Sequence, residues 1–319
     1  MSRLARISLV VAVLGALAWA SSVASASTLV ARNATNVKLA VNQTGKKALL
    51  TYKVNGVTNH VLVSGAVNAL TPSPTTPQVA FTIDHTGGGK SVWKHFKNKC
   101  QQYDGPTLAF LVVACKAKDG SYWAIQKWQY WMPFFGYSPW LAYQNDWAFH
   151  LSHWTGPLAV LELWADWIYT AQGAKAPHNV FGHFTYGGIS VYGFVVKPGG
   201  VPGDGYGRVV FYEALDSLLG PGWWRLTGIL ARNPSGMFCH AMIPLPTYSN
   251  YPNPHVVDAG NGKKYRVYAE GPGVTPLVIT EVDDPGDFDP QDSAKVKREE
   301  AGDSLLQVWL APPACLKGH

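Results

Sequence analysis

Short runs in which apolar and polar residues alternate recur along the chain between clusters of Gly, Pro and Asn, and long stripes of helical period are scarce. Residues 47–54 and 57–63 alternate on either side of Asn55-Gly56, the two-residue signal of a tight hairpin. Residues 108–115 and 122–128, joined through Lys116 to Gly120, predict a second hairpin, and residues 180–186 and 189–196 around Gly187-Gly188 a third. Residues 78–83, 208–214, 237–243, 264–269 and 277–282 read as further strands, and residues 293–310 as the best helix. Proline and glycine make loops of residues 71–77, 197–207 and 244–254. The pattern predicts a mainly β, antiparallel, hairpin-rich sandwich or barrel with long Gly/Pro loops and at most one or two short helices.

Residues 121–169 hold eight of the thirteen tryptophans. Lys127, Gln129, Gln144, Asp146, His150, His153, Glu162 and Asp166 interrupt this stretch, whereas a spanning helix needs about 20 consecutive apolar residues. The rings therefore build a core or form a binding surface, with the interleaved polar side chains available to accept indole N–H bonds. Pro133, Gly136 and Pro139 make a loop of residues 132–140. From residue 147 to 154, Trp147, Phe149 and Leu151 fall on one face of a strand and His150, Ser152 and Trp154 on the other. Residues 158–169 fit a helix or a strand; Pro157 and the β-branched and aromatic content favour the strand.

The first 26 residues read as a secretory leader, with Arg3 and Arg6 ahead of an apolar run and Ala24-Ser25-Ala26 as the cleavage motif. The expectation is a secreted, extracellular chain without a transmembrane segment after cleavage, comprising an N-terminal β subdomain at 27–131 packed on a larger aromatic-rich one at 132–319, or both as a single domain. Loss of the two arginines lowers the formal charge from +6 to +4. Lys97, Lys99, Lys116, Lys118, Lys263 and Lys264 are scattered, and no basic stripe of the kind nucleic acid requires is legible. Four cysteines in an exported chain point to disulfides among Cys100, Cys115, Cys239 and Cys315. Three connectivities are open, and Cys100 with Cys115 and Cys239 with Cys315 is the expected one, since it closes one local loop and ties the tail to the body.

Cofactor motifs are weak. Gly87 to Lys90 lacks the spacing of a phosphate loop, and Gly203 to Gly207 lies outside any βαβ unit, so no cofactor is expected. Ser190 sits one residue out of register for a nucleophile elbow, which argues against a serine triad. His150 and His153 project to opposite faces of a strand, which disfavours zinc. Asp283, Asp284, Asp287 and Asp289 form an acidic loop, a weak calcium candidate whose spacing matches no twelve-residue calcium loop. Trp154, Trp164 and Trp167 around Glu162 and Asp166 suggest a platform for sugar rings, with a partner such as a glycan or cell-envelope polymer. Glu162, Asp166 and His153 are weak catalytic candidates, because a strand separates the two carboxylates by about 13 Å where glycoside hydrolysis needs about 5–10 Å. A non-catalytic binding protein is the leading expectation; a glycoside-type hydrolase and a structural surface protein with wholly buried rings are the alternatives.

Gly203 to Arg208, Gly220 to Arg225 and Ser235 to Cys239, with Asp104 to Pro106, Asp119 to Ala124 and Leu151 to Trp154, resemble a family of exported, tryptophan-rich bacterial proteins. The resemblance spans most of the mature chain and implies secretion and a shared fold. It carries no catalytic residue, because no activity is attached to that family.

Overall fold

The computed structural model describes residues 27–71, 79–128, 146–167, 178–191, 194–196, 202–204, 210–216, 223–225, 237–242 and 263–309, with backbone alone at 178, 194–196, 202–204, 210–216, 223–225, 239–242 and 263. The expected leader, the loops expected at 132–140 and 244–254, most of the expected glycine loop, the side chain of Cys239 and all of Cys315 lie outside the described residues.

The chain is mainly β, with antiparallel sheets, two helices and no closed barrel among the described residues. Strands β2 (Thr35–Val41), β3 (Lys47–Val54), β4 (Val57–Gly65) and β5 (Phe81–Asp84) form one sheet in sequence order. The β3–β4 hairpin turns at Asn55 and Gly56, with φ of 50° and 80°, the paired positive φ that a two-residue turn needs to match strand twist. Strands β1 (Thr28–Arg32), β8 (Ala148–Trp154), β7 (Tyr122–Trp128) and β6 (Leu111–Lys116) form a second sheet in that order. Alternation turns Val41, Ala48, Leu50, Tyr52, Val61 and Val63 of the first sheet onto Val30, Trp123, Ile125, Phe149 and Leu151 of the second, closing one hydrophobic core.

The expected division after residue 131 does not follow this sandwich. Strand β8 lies beyond that point, yet it is paired on both sides, to β7 and to β1. The first sandwich therefore runs through Trp154.

Residues 158–169 resolve as a strand, β9 (Val160–Trp167), paired to β10 (His178–Tyr186). β10 also pairs β11 (Ile189–Ser190), through the turn Gly187-Gly188, and β16 (Met237–Met242). Strands β12 (Phe194–Val196) and β13 (Pro202–Asp204) pair with each other. A fifth sheet runs β15 (Trp223–Arg225), β14 (Val210–Asp216), β17 (Lys263–Ala269), β18 (Val278–Asp283). Leu161, Val180, Phe184 and Phe238 pack on Tyr265, Val267, Ala269 and Val278 to form the second core.

Of the helices, α1 (Val92–His95) is a single turn and α2 (Ser293–Val308) is capped by Asp292, whose carboxylate accepts the N–H groups of Ala294 and Lys295. α2 lies on β9, where Arg298 donates to the Ala165 carbonyl at 3.1 Å.

Residues 270–278, buried throughout, run against the β1–β8–β7–β6 sheet. Gln126 fastens them by accepting from Leu277 N–H and donating to the Leu277 carbonyl, while His153 N–H donates to Val274. On the outward face of β8, Leu108, Tyr103 and Tyr122 cover Trp154, and Trp128 and Ser27 cover His150, so every residue of the strand is buried where alternation alone implies one wet face.

Candidate functional site

Two of the three rings expected to bind sugar are interior. Trp154 is fully buried with Leu108 and Ala124 beneath Tyr103 and Tyr122. Trp167, also fully buried, packs on Phe288 and donates its indole N–H to the Gly286 carbonyl at 2.6 Å. Trp164 is half-buried beneath α2, with the Arg298 guanidinium 5.4 Å from its ring centroid. A ring with no exposed face cannot stack on a saccharide, so Trp154 and Trp167 are core residues and not a platform. Trp123 donates to the Gly45 carbonyl at 2.9 Å, so for Trp123 and Trp167 the acceptor is a backbone carbonyl, not one of the interleaved polar side chains.

Glu162, Asp166 and His153 do not assemble. Glu162 and Asp166 share one face of β9, but α2 covers only the Asp166 end. Asp166 is fully buried, with the Trp167 N–H donated to it at 2.8 Å, whereas the Glu162 side chain is 52% exposed. His153 belongs to the first sandwich, where it stacks on Trp123 at 3.7 Å and lies 2.9 Å from both the Ala66 carbonyl and Ser121 Oγ. Burial pushes its imidazole down to about 4 and that of His150, stacked on Trp128, down to about 3. Both rings are neutral parts of the core, and no substrate reaches them.

Two carboxylates of the acidic loop and one of its carbonyls serve chain geometry. Asp284 accepts Gly286 N–H, Asp289 accepts Gln291 N–H, and the Asp287 carbonyl accepts Lys295 Nζ. No group of three or more metal-ligating side chains occurs among the described residues. Cys100 and Cys115 are joined in a disulfide with Cα atoms 5.5 Å apart, closing a 15-residue separation as expected.

Folding gathers what the sequence scatters, and the gathered feature is positive charge. Residues 27–128 hold twelve Lys and Arg against three Asp and no Glu, a formal +9, while residues 129–319 hold twelve against seventeen, a formal −5. With one face of the β2–β5 sheet committed to the core, alternation puts Lys38, Lys47, Lys53 and His60 on the other. Lys38, Thr51 and His60 form one cross-strand row, Thr35, Lys53 and Thr58 another, and Lys47 with Ser64 a third.

The segment after β5 folds back over this face. His60 stacks on Trp93 of α1 with ring centroids 3.8 Å apart, and Lys94 Nζ lies 5.7 Å from the same indole. Lys99 N–H donates to the Val41 carbonyl and Asn98 accepts Val41 N–H, which lays exposed Lys97 and Lys99 along the β2 edge. Gly45 abuts Asp119, so the turns carrying exposed Lys46 and Lys118 meet at one end.

The three acids of this region leave the field standing. The Thr86 hydroxyl and N–H, with the Gly88 N–H, are donated to Asp84 and hold its carboxyl below the usual range. Asp104 pairs with Lys116 at 2.7 Å, and Asp119 accepts from Ser121. Lys38, Lys46, Lys47, Lys53, Lys90, Lys97, Lys99 and Lys118 have no carboxylate partner among the described residues. This face escaped the reading by motif and whole-chain charge; charge summed segment by segment would have found it.

The last grouping lies on β9–β11. His183 Nδ1 is 3.2 Å from Glu162 Oε2, and its Nε2 is 3.5 Å from Ser190 Oγ. No family model, curated protein or solved structure matches the chain.

Proposed function

We propose that this is an exported, disulfide-stabilised β protein that holds an anionic glycopolymer of the cell envelope against the outer face of the β2–β5 sheet. The observation that carries the reading is the set of exposed lysines without carboxylate partners in residues 27–128, a segment of formal +9 where the remainder sums to −5. A single exposed ion pair in water is worth about 1 kcal/mol or less. Affinity therefore comes from many lysines meeting a ligand that repeats its charge, and an extended polymer does so.

The His60–Trp93 stack adds ring surface beside the lysines for the apolar faces of sugars, the role first expected of Trp154, Trp164 and Trp167. Export favours an envelope polymer over nucleic acid, because the leader directs the chain to where such polymers are. The Cys100–Cys115 bridge agrees with an oxidising compartment.

The test is retention of the purified mature protein on envelope preparations before and after extraction of their anionic polymers. The wild type is retained by the intact preparation and lost from the extracted one, and Lys38→Gln/Lys53→Gln/Lys94→Gln/Lys97→Gln is retained by neither. Equal retention of both proteins, with unchanged thermal unfolding, contradicts the reading, as does stronger binding to duplex DNA or anionic vesicles than to the glycopolymer.

A further inference from the structure

We infer that Ser190, His183 and Glu162 form a nucleophilic relay that hydrolyses O-acyl esters. Three adjacent strands place them. Glu162 of β9 is the direct cross-strand partner of His183 of β10, and Ser190 of β11 is the partner of Thr185, one alternation from His183 on the same face. Gly187 and Gly188, with φ of 58° and 77°, supply the tight turn that brings β11 back beside β10.

The chemistry follows from the two ring nitrogens. An ionised carboxylate only accepts hydrogen bonds, so Glu162 selects the tautomer with the proton on Nδ1. That leaves the Nε2 lone pair directed at Ser190 Oγ, as a general base for a serine nucleophile requires. The separation of 3.5 Å to Ser190 is that of a resting site, since such contacts tighten on substrate binding. Trp309, 5.6 Å from the His183 ring and edge-on to Phe181 at 5.9 Å, supports the imidazole from above.

A cross-strand Glu–His pair by itself is a common surface feature worth under about 1 kcal/mol. It does not account for a hydroxyl at the opposite nitrogen. The His153 group shows the contrast: there the carboxylate of Asp119 sits on the serine, the ring donates to a backbone carbonyl, and His153 and Ser121 are both buried. At the relay, the His183 side chain is 20% exposed and Glu162 is open to solvent.

In the first step Ser190 Oγ attacks the ester carbonyl carbon as its proton passes to His183 Nε2. The carbon–oxygen bond to the alcohol then breaks, and the alcohol leaves with that proton. Water attacks the acyl-serine and gives a proton to Nε2, which returns it to Ser190 Oγ as the acid departs. Ester and water become acid and alcohol with no change of oxidation state. Glu162 is the positioning residue. The row lies along a sheet surface, which suits an acyl group displayed on an extended molecule.

The inference uses β9–β11 and is independent of polymer binding at the β2–β5 face. The full mature protein is treated with a fluorophosphonate probe and, separately, with p-nitrophenyl acetate. One adduct per chain is expected at Ser190 by peptide mass spectrometry, lost in Ser190→Ala and slowed on the order of 10²-fold or more in His183→Gln. Glu162→Gln should slow labelling and alter its pH profile while unfolding at the wild-type temperature. Absence of an adduct at Ser190 in folded protein, or labelling and ester turnover that persist in Ser190→Ala, overturns the assignment.

Discussion

Trp93 and His60 lie ring on ring, with centroids 3.8 Å apart and planes inclined by 7°. Gly87 makes this possible: at φ +67° a Cβ there would stand 3.0 Å from both His60 Cβ and Trp93 Cδ1. Gly87→Ala therefore meets the left-handed backbone penalty of about 1 kcal/mol and a steric conflict together. Chemical denaturation should show a loss of about 1–2 kcal/mol, with weaker retention on the anionic polymer. A variant as stable as wild type that binds equally well would show that the stack does not organise the face.

The buried histidines make stability depend on pH. Burial holds His150 at about 3 and His153 at about 4, below the unfolded value of about 6.5. Between these limits the unfolded chain binds more protons than the folded one, so their contribution is intact above about pH 6.5 and falls as pH drops toward the folded values. Each histidine should cost on the order of 2 kcal/mol by pH 4.5. Urea unfolding at pH 7.5 and 4.5 checks this, and an unchanged free energy would place both rings in solvent.

Gly302 of α2 offers a test with a definite sign. Alanine in a helix interior ordinarily stabilises by about 1 kcal/mol over glycine. Here a Cβ would lie 2.3 Å from Asp166 Oδ2 and 2.7 Å from Trp164 Nε1, so the helix must lift or β9 must shift. Gly302→Ala should destabilise by roughly 1–3 kcal/mol and increase acrylamide quenching of tryptophan. A rise in unfolding temperature would contradict the packing of α2 on β9.

The disulfide stabilises by restricting the unfolded chain. For the 15-residue separation between Cys100 and Cys115 the chain-entropy estimate is about 3 kcal/mol. Cys100→Ser/Cys115→Ser should lose about that much in denaturant titrations, and reductant should then add no further loss from this pair.

Much of the fold was legible because short-range rules settle it. Asn55-Gly56 and Gly187-Gly188 turn where the alternation changes strand, and β9 forms where β-branched and aromatic residues follow Pro157. What one strand cannot report is what covers it. Trp154 and His150 alternate with Phe149 and Leu151 as if half of β8 were wet, yet Leu108, Tyr103 and Tyr122 close over Trp154, and Trp128 and Ser27 over His150. Asp166 and Glu162 share a face, and only α2, more than a hundred residues later, makes one buried and the other exposed. Strand pairing, which no single strand reports, hid His183 and Ser190 from Glu162, 21 residues before that histidine. The positive face was hidden differently, because acids after residue 128 cancel most of the lysine excess before it in any whole-chain sum.

The central claim is tested most directly by measuring affinity for polygalacturonate, a defined anionic glycan, as a function of salt. Binding through unpaired lysines predicts that the logarithm of affinity falls linearly with the logarithm of salt concentration, because polymer counterions are released. The magnitude of that slope should decrease in Lys38→Gln/Lys53→Gln/Lys94→Gln. A folded protein that does not bind, or whose binding is indifferent to both salt and these substitutions, would contradict the assignment of the β2–β5 face.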